Sequence, residues 1–334
     1  MDFRHKFMID AETCSSDMDA LRQMIVQHAG DARVPRSIRI MEDTSDFFRI
    51  EYDDVLLLGG RPYLMRNNQK EGRFGIDDEP KFWVRKAIDL VDGSGKIIKM
   101  VFHERYNATV GGIIFDCIRS PRKEARILDK VGAHERFMHG FAVKDSAGNI
   151  IRVIDYIRGV NFSAHVQSLN KGHEQYYYCR LKAVMDEFIA LTQAIGFLHD
   201  RDEKHGDIRR DHIIIDDDSG KGRWIDFDYT FASRQNRFGY DLFGLGNILT
   251  FIVAGGDVTV QTLQTNNPQL LQRLREEDMN IVFQNRLVNL KKVYPYVAEA
   301  LNLVLLHFSN GANVFYDTVG ELLEDLMEAR DKLT

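Results

Sequence analysis

The stretch Lys204–Ser233, KHGDIRRDHIIIDDDSGKGRWIDFDYTFAS, decides how this chain is read. It carries two short acidic signatures about twenty residues apart, His205-Gly206-Asp207 and Ile225-Asp226-Phe227-Asp228. The first sits where a loop is expected, and the second follows the short apolar run Arg223-Trp224-Ile225. Four further aspartates lie between them, and an aspartate on its own is ordinarily a turn or cap residue. What sets Asp207 and Asp226 apart is their surroundings. Upstream, RLKAVMDEFIALTQAIGFLHD places Val184, Phe188, Leu191, Ile195 and Leu198 at steps of four, three, four and three, a long amphipathic helix. Downstream, GYDLFGLGNILTFIVAGG reads as a second, apolar helix. Two carboxylates spaced between two such helices suit an acid site better than decoration.

Working outward, the chain divides by periodicity. SDMDALRQMIVQHAG has Met18, Leu21, Met24 and Ile25 at helical spacing and a closing Gly30, so residues 1–46 are expected to be an extension with one short helix. From Ser37 the pattern turns to strands: SIRIMED, FFRIEYDD, VLLLGGRPYLMR, KFWVRKAIDL and, after the hairpin signal Asp92-Gly93-Ser94-Gly95, KIIKMVFHE. One helix interrupts them. RSPRKEARILDKVG offers Ser120 as N-cap, Pro121 at the first helical position and Gly132 at the end. RFMHGFAVKD and NIIRVIDYI follow as strands, and after Gly159 the patterns are helical. Asn267-Pro268 is expected to start one late helix and Asp317 to cap the last. The expected class is α+β: an extension (1–46), a β-rich lobe (47–157) and a mainly helical lobe (158–334), packed around a cleft.

Composition narrows the function classes. A net charge of −6 and a pI near 6.0 argue against a nucleic-acid binder, whose footprint is basic. Cys14, Cys117 and Cys179 are far apart and odd in number, so neither a disulfide framework nor a metal spacing is visible, which suits a reducing cytoplasm. The first residues, MDFRHKFMID, lack the apolar core of a signal peptide, and no apolar run is long enough for a membrane span. A cytoplasmic location is the expectation.

These stretches, in chain order over residues 55–330, resemble the protein-kinase-like superfamily. LHDRDEKHGDIRRDHIIID is similar to the end of the kinase long helix and its catalytic loop, H-x-D-x-x-x-x-N, with His205, Asp207 and Arg209 matched and His212 where Asn is usual. IDFD resembles D-F-G, with Asp228 in the Gly position, and YDLFGLG resembles the helix opening D-x-W-S-x-G through Asp241, Phe243 and Gly246. The resemblance implies a bilobal fold that binds ATP and Mg²⁺ and transfers the γ-phosphoryl group to a hydroxyl of a small molecule or protein. Asp207 would accept or orient the hydroxyl proton, and Arg209 would neutralise the transferring phosphate. Asp226 would hold the metal, assisted by His212 and Asp228. Lys99, twenty-five residues before Glu124, would steady the α/β-phosphates with Glu124 as its helix partner. Gly72 and Gly75 in EGRFG would bend over the phosphates, and the hinge at Asp155–Gly159, with Asp155 and Ile157, would meet adenine.

Two features depart from the pattern. Imidazole is a softer ligand than an amide oxygen for Mg²⁺, although the lipopolysaccharide-core sugar kinases are similar in carrying a His at this position. Only fourteen residues separate Asp226 from Asp241, too few for a peptide platform, which favours a compact kinase like those acting on aminoglycosides, choline or sugars. The competing readings are a nucleotide-binding regulatory pseudokinase and AMP transfer to a protein.

Overall fold

A computed structural model describes residues 13–29, 37–71, 79–110, 112–233 and 236–333. The chain forms two compact units: residues 1–103, 120–134 and 138–157, and residues 104–119, 135–137 and 158–334.

The first unit is built on a seven-stranded sheet in the order Ile40–Met41, Val55–Leu58, Arg61–Glu71, Glu79–Asp89, Gly95–Lys99, Ile150–Asp155, Gly140–Lys144. All pairings are antiparallel except the first. The strands alternate, and both of their faces are apolar. Leu56, Leu58, Tyr63 and Met65 join Ile98, Met100, Ile151 and Val153 on one side. Val55 and Leu64, one residue out of phase, turn to the other side with Leu90 and Ile38. A sheet apolar on both faces needs two covers. The helix Thr13–His28 supplies one of them, burying Leu21 and Ile25 in the second cluster. Each such side chain contributes ~1.5–3 kcal/mol on burial, so this helix is part of the unit's core.

Two strand expectations give way here. FFRIEYDD forms a 3-10 turn at Phe47–Arg49, because the Asp46 carboxylate accepts from the Phe48 N–H and Asp53 takes a left-handed φ of 69°. Of SIRIMED only Ile40–Met41 is strand. The helix Pro121–Val131 has the caps expected of it, Ser120 and Gly132.

The second unit is mainly helical, with two three-stranded sheets. Its long helix, Leu181–His199, buries Val184, Phe188, Leu191, Ile195 and Leu198. The helix Gly239–Ala254 is apolar all round and almost wholly buried, as such helices are. The last helix, Val319–Asp331, is capped by Thr318 and not by Asp317: Thr318 Oγ1 accepts from the Glu321 N–H, and Glu321 reaches back to the N–H groups of Asp317 and Thr318. Thr-x-x-Glu satisfies two orphan donors at once, which a lone Asp cannot. Among the described residues no helix is long and apolar enough to cross a membrane.

One half-buried histidine ties this unit's stability to pH. His173 stacks on Tyr294, donates from Nε2 to the Val253 carbonyl (2.9 Å), and accepts at Nδ1 from the Tyr296 hydroxyl (2.7 Å). Burial lowers its pKa below 6.5, against the pull of the Val253 bond. A histidine whose pKa falls on folding takes up its proton more readily in the unfolded chain. Its contribution is therefore complete above pH 6.5 and is lost as pH falls below that value. Urea unfolding at neutral and mildly acidic pH is expected to show stability dropping on acidification, with a smaller drop in His173→Gln.

Candidate active site

The second unit's acid groups are gathered by one hairpin. Ile213–Asp216 pairs antiparallel with Gly222–Trp224, with Ile213 opposite Trp224. The ladder continues one step further as the Ile225 N–H donates to the His212 carbonyl (2.9 Å), so the residue after Ile225 emerges beside His212. That residue is Asp226. Trp224, fully buried, anchors the turn by donating from Nε1 to the Leu191 carbonyl of the long helix (2.9 Å).

The loop carrying Asp207 is held from below. Asp241, at the start of the buried helix, accepts from the backbone N–H groups of His205 and Gly206 (2.8 Å each) and pairs with His199 Nε2 (3.0 Å). Burial would raise its pKa, but His199, His205 and the Gly206 N–H outweigh it, so the carboxyl lies below its usual range. His205 is fully buried between Trp224 and Phe227, so its place is in the core beneath the loop. Gly206 has a φ of 86°, and a Cβ there would lie 1.8 Å from the Tyr229 carbonyl oxygen. The left-handed backbone alone costs a non-glycine residue ~1–2 kcal/mol, and the contact adds to it. Gly206→Ala is expected to lower the melting temperature and to displace Asp207; calorimetry showing wild-type stability would refute this close approach.

His212 lies between the two aspartates. Its Nδ1 is 3.0 Å from the Asp207 carbonyl oxygen and 3.5 Å from Asp207 Oδ2, and its Nε2 is 3.6 Å from Asp226 Oδ2. A carbonyl only accepts, so Nδ1 carries hydrogen and, in the neutral ring, Nε2 turns its lone pair to the side of Asp226. Two acceptors facing each other fit a cation. Asp226 also has a φ of 63°. Such a conformation in a residue other than glycine costs ~1–3 kcal/mol and persists where the surroundings impose it, commonly at functional sites.

Arg209 forks onto its neighbour Asp211 (3.0 and 2.5 Å). Asp228 is fully buried, and its Oδ2 accepts from Arg119 Nη1 at 2.8 Å. Burial would lower the Arg119 pKa, but Asp228, Asp226 and Tyr229 outweigh it and hold it raised. Sequence reasoning overlooks Arg119, which lies on a hairpin, Arg105–Val110 with Ile113–Arg119, whose inner strand pairs with Tyr229–Ala232. The alternation around Gly111-Gly112 signals that hairpin; nothing local signals where it pairs. Two tyrosines near Asp207 are also overlooked. Tyr106 and Tyr240 bring their hydroxyls within 3.4 Å, and burial, then other neighbours including the Asp207 charge, raises both pKa values, that of Tyr240 to about 12.

In the first unit Lys99 and Arg152 are cross-strand partners, and both reach Glu124 on the helix Pro121–Val131. Lys99 Nζ donates to Oε1 (2.7 Å) and Arg152 Nε to Oε2 (3.0 Å), with all three side chains buried. Arg152 is absent from the sequence reading. Asp155 ends its strand, exposed and paired with Lys96 (2.5 Å), and half-buried Ile157 is the last residue of this unit. Gly72 and Gly75 lie outside the described residues.

No family model matches the chain, and no curated protein does. Among solved structures it is similar to the PknI kinase domain of Mycobacterium tuberculosis (C20A mutant), at 14% identity over 80% of this chain and 95% of that one, with a TM-score of 0.46. The chain combines a mainly antiparallel-sheet unit that holds a buried Lys–Glu pair with a mainly helical unit that holds the His-Gly-Asp loop and the Asp-Phe turn.

Proposed function

We propose that the protein is a phosphotransferase that moves the γ-phosphoryl group of ATP to a hydroxyl acceptor. The observation that carries this reading is His212 set between Asp207 and Asp226 at 3.5 and 3.6 Å, on a loop and a turn held by buried contacts. Phosphoryl transfer asks for little covalent work from a protein and much positioning of charge. Asp207 orients the acceptor hydroxyl and takes its proton as the new O–P bond forms and the bond from the γ-phosphorus to the bridging oxygen breaks, leaving ADP. Arg209 offsets charge on the transferring group, and Lys99, oriented by Glu124, steadies the α/β-phosphates. Asp226 and His212 fit a divalent cation through one carboxylate oxygen and Nε2, a mixed set that Mn²⁺ accepts more readily than Mg²⁺. A cation bound there would supply neutralisation of phosphate charge.

The reading is tested by thermal unfolding with and without ATP and Mg²⁺ or Mn²⁺, on wild type and Asp226→Ala. Saturation at a hundred times Kd adds ~2.7 kcal/mol of stability, a shift of several degrees. A metal-dependent rise in wild type that is lost in the variant supports the site, and no rise at millimolar nucleotide removes it. Incubation with ATP labelled at the α- or the γ-phosphorus then separates phosphoryl from AMP transfer.

A further inference from the structure

We propose that Arg119 is a positioning residue that engages Asp228 and so divides the work of the two carboxylates in Ile-Asp-Phe-Asp: Asp226 holds the divalent cation, and Asp228 is the anchor that fixes the turn. The assignment rests on the functional reading above and goes beyond it, because the sequence reading sets both carboxylates at the metal.

Three observations carry it. The first is geometry. Arg119 Nη1 donates to Asp228 Oδ2 at 2.8 Å, while Nη2 donates to the Tyr229 hydroxyl at 2.6 Å and lies 3.3 Å from Glu104 Oε2. The Tyr229 hydroxyl in turn donates to Glu104, and the guanidinium lies 4.4 Å from the centre of the Tyr229 ring. A planar, permanently charged fork that makes several directed bonds is what Arg supplies and Lys does not. The second is burial. The side chains of Asp228 and Arg119 are 1% and 2% exposed, whereas that of Asp226 is 15% exposed, as a ligand that must meet a cation from solvent requires. The third is register. Arg119 is the strand partner of Tyr229, and the ladder runs on through Ile118–Thr230, Cys117–Phe231 and Asp116–Ala232. The hairpin therefore delivers its guanidinium to the segment straight after Asp228, from 109 residues away in the chain.

The physical consequence follows from charge. Two carboxylates two residues apart repel each other, and cancelling one of them with a buried cation leaves a single negative group to bind metal. Removing Arg119 makes the site more negative, removing the Asp228 charge makes it more positive, and removing both restores the balance.

The test is direct Mn²⁺ binding to the full chain, followed by the electron paramagnetic resonance of free Mn²⁺, with thermal unfolding alongside. Relative to wild type, Arg119→Met is expected to bind Mn²⁺ about tenfold more tightly and Asp228→Asn about tenfold more weakly, the scale of one nearby charge in a partly screened site. The double variant is expected within about threefold of wild type, and to regain the melting temperature that each single variant loses by stranding a buried charge. A double variant that binds as weakly as Asp226→Asn would make Asp228 a metal ligand and overturn the division. Arg119→Met that is less stable but unchanged toward Mn²⁺ would leave Arg119 a merely structural role and overturn it too. If Arg119→Met does not fold, the double variant, which buries neither charge, decides by the same criterion. A wild type that takes up no Mn²⁺ overturns the metal reading of Asp226 itself, a result distinct from all of these.

Discussion

Asp207→Asn is expected to slow phosphoryl transfer by about 10²–10⁴-fold, the usual contribution of a positioned proton acceptor, while leaving nucleotide-dependent thermal stabilisation in place. The substitution keeps the shape of the side chain and removes its basicity. The loop has backbone anchors besides the Asp207 carboxylate: Asp241 holds the N–H groups of His205 and Gly206, and His212 Nδ1 bonds to the Asp207 backbone carbonyl. The loss should accordingly fall on kcat, with KM for ATP little changed, since Asn still fits but no longer takes the proton. Steady-state kinetics with γ-labelled ATP would read this split. Transfer at the wild-type rate in Asp207→Asn would remove Asp207 from the chemistry, and equal losses of transfer and nucleotide binding would mean that the loop had moved.

Glu124→Ala is expected to destabilise the first unit by ~3–5 kcal/mol, the range for a buried ion pair that loses one member. The carboxylate is fully buried and serves two cations, Lys99 Nζ and Arg152 Nε, which neighbouring strands bring side by side. Its removal leaves those two charges adjacent in the core with neither of these bonds. Replacing Glu124 together with both cations by apolar residues of similar volume should restore much of the loss, because an apolar cluster does not carry the desolvation cost of ions. Urea unfolding of wild type, Glu124→Ala and the triple variant would measure it; a loss under ~1 kcal/mol in Glu124→Ala would place the cluster in water, where ion pairs count for little.

Local chemistry was legible. Ser120-Pro121 and Gly132 mark the helix Pro121–Val131 because caps are settled within a few residues of the chain, and the step pattern from Val184 to Leu198 marks the long helix for the same reason. His212 lies next to Asp226 because a hairpin lies between them, which the sequence reading did not name. The Phe47–Asp54 segment misled, since its alternation mimics a strand while Asp46 and Asp53 bend it.

What the sequence by itself determined was the position of helices such as Pro121–Val131 and Leu181–His199, since caps and periodicity act over a turn or two of chain. Only the tertiary structure decided which distant groups meet. Arg152 faces Glu124 through strand register, the helix Thr13–His28 covers the sheet because its second apolar face needs covering, and Arg119 reaches Asp228 across 109 residues. Pairing of this kind depends on which edges and faces remain open once the local elements have formed, and no short window of residues contains that information.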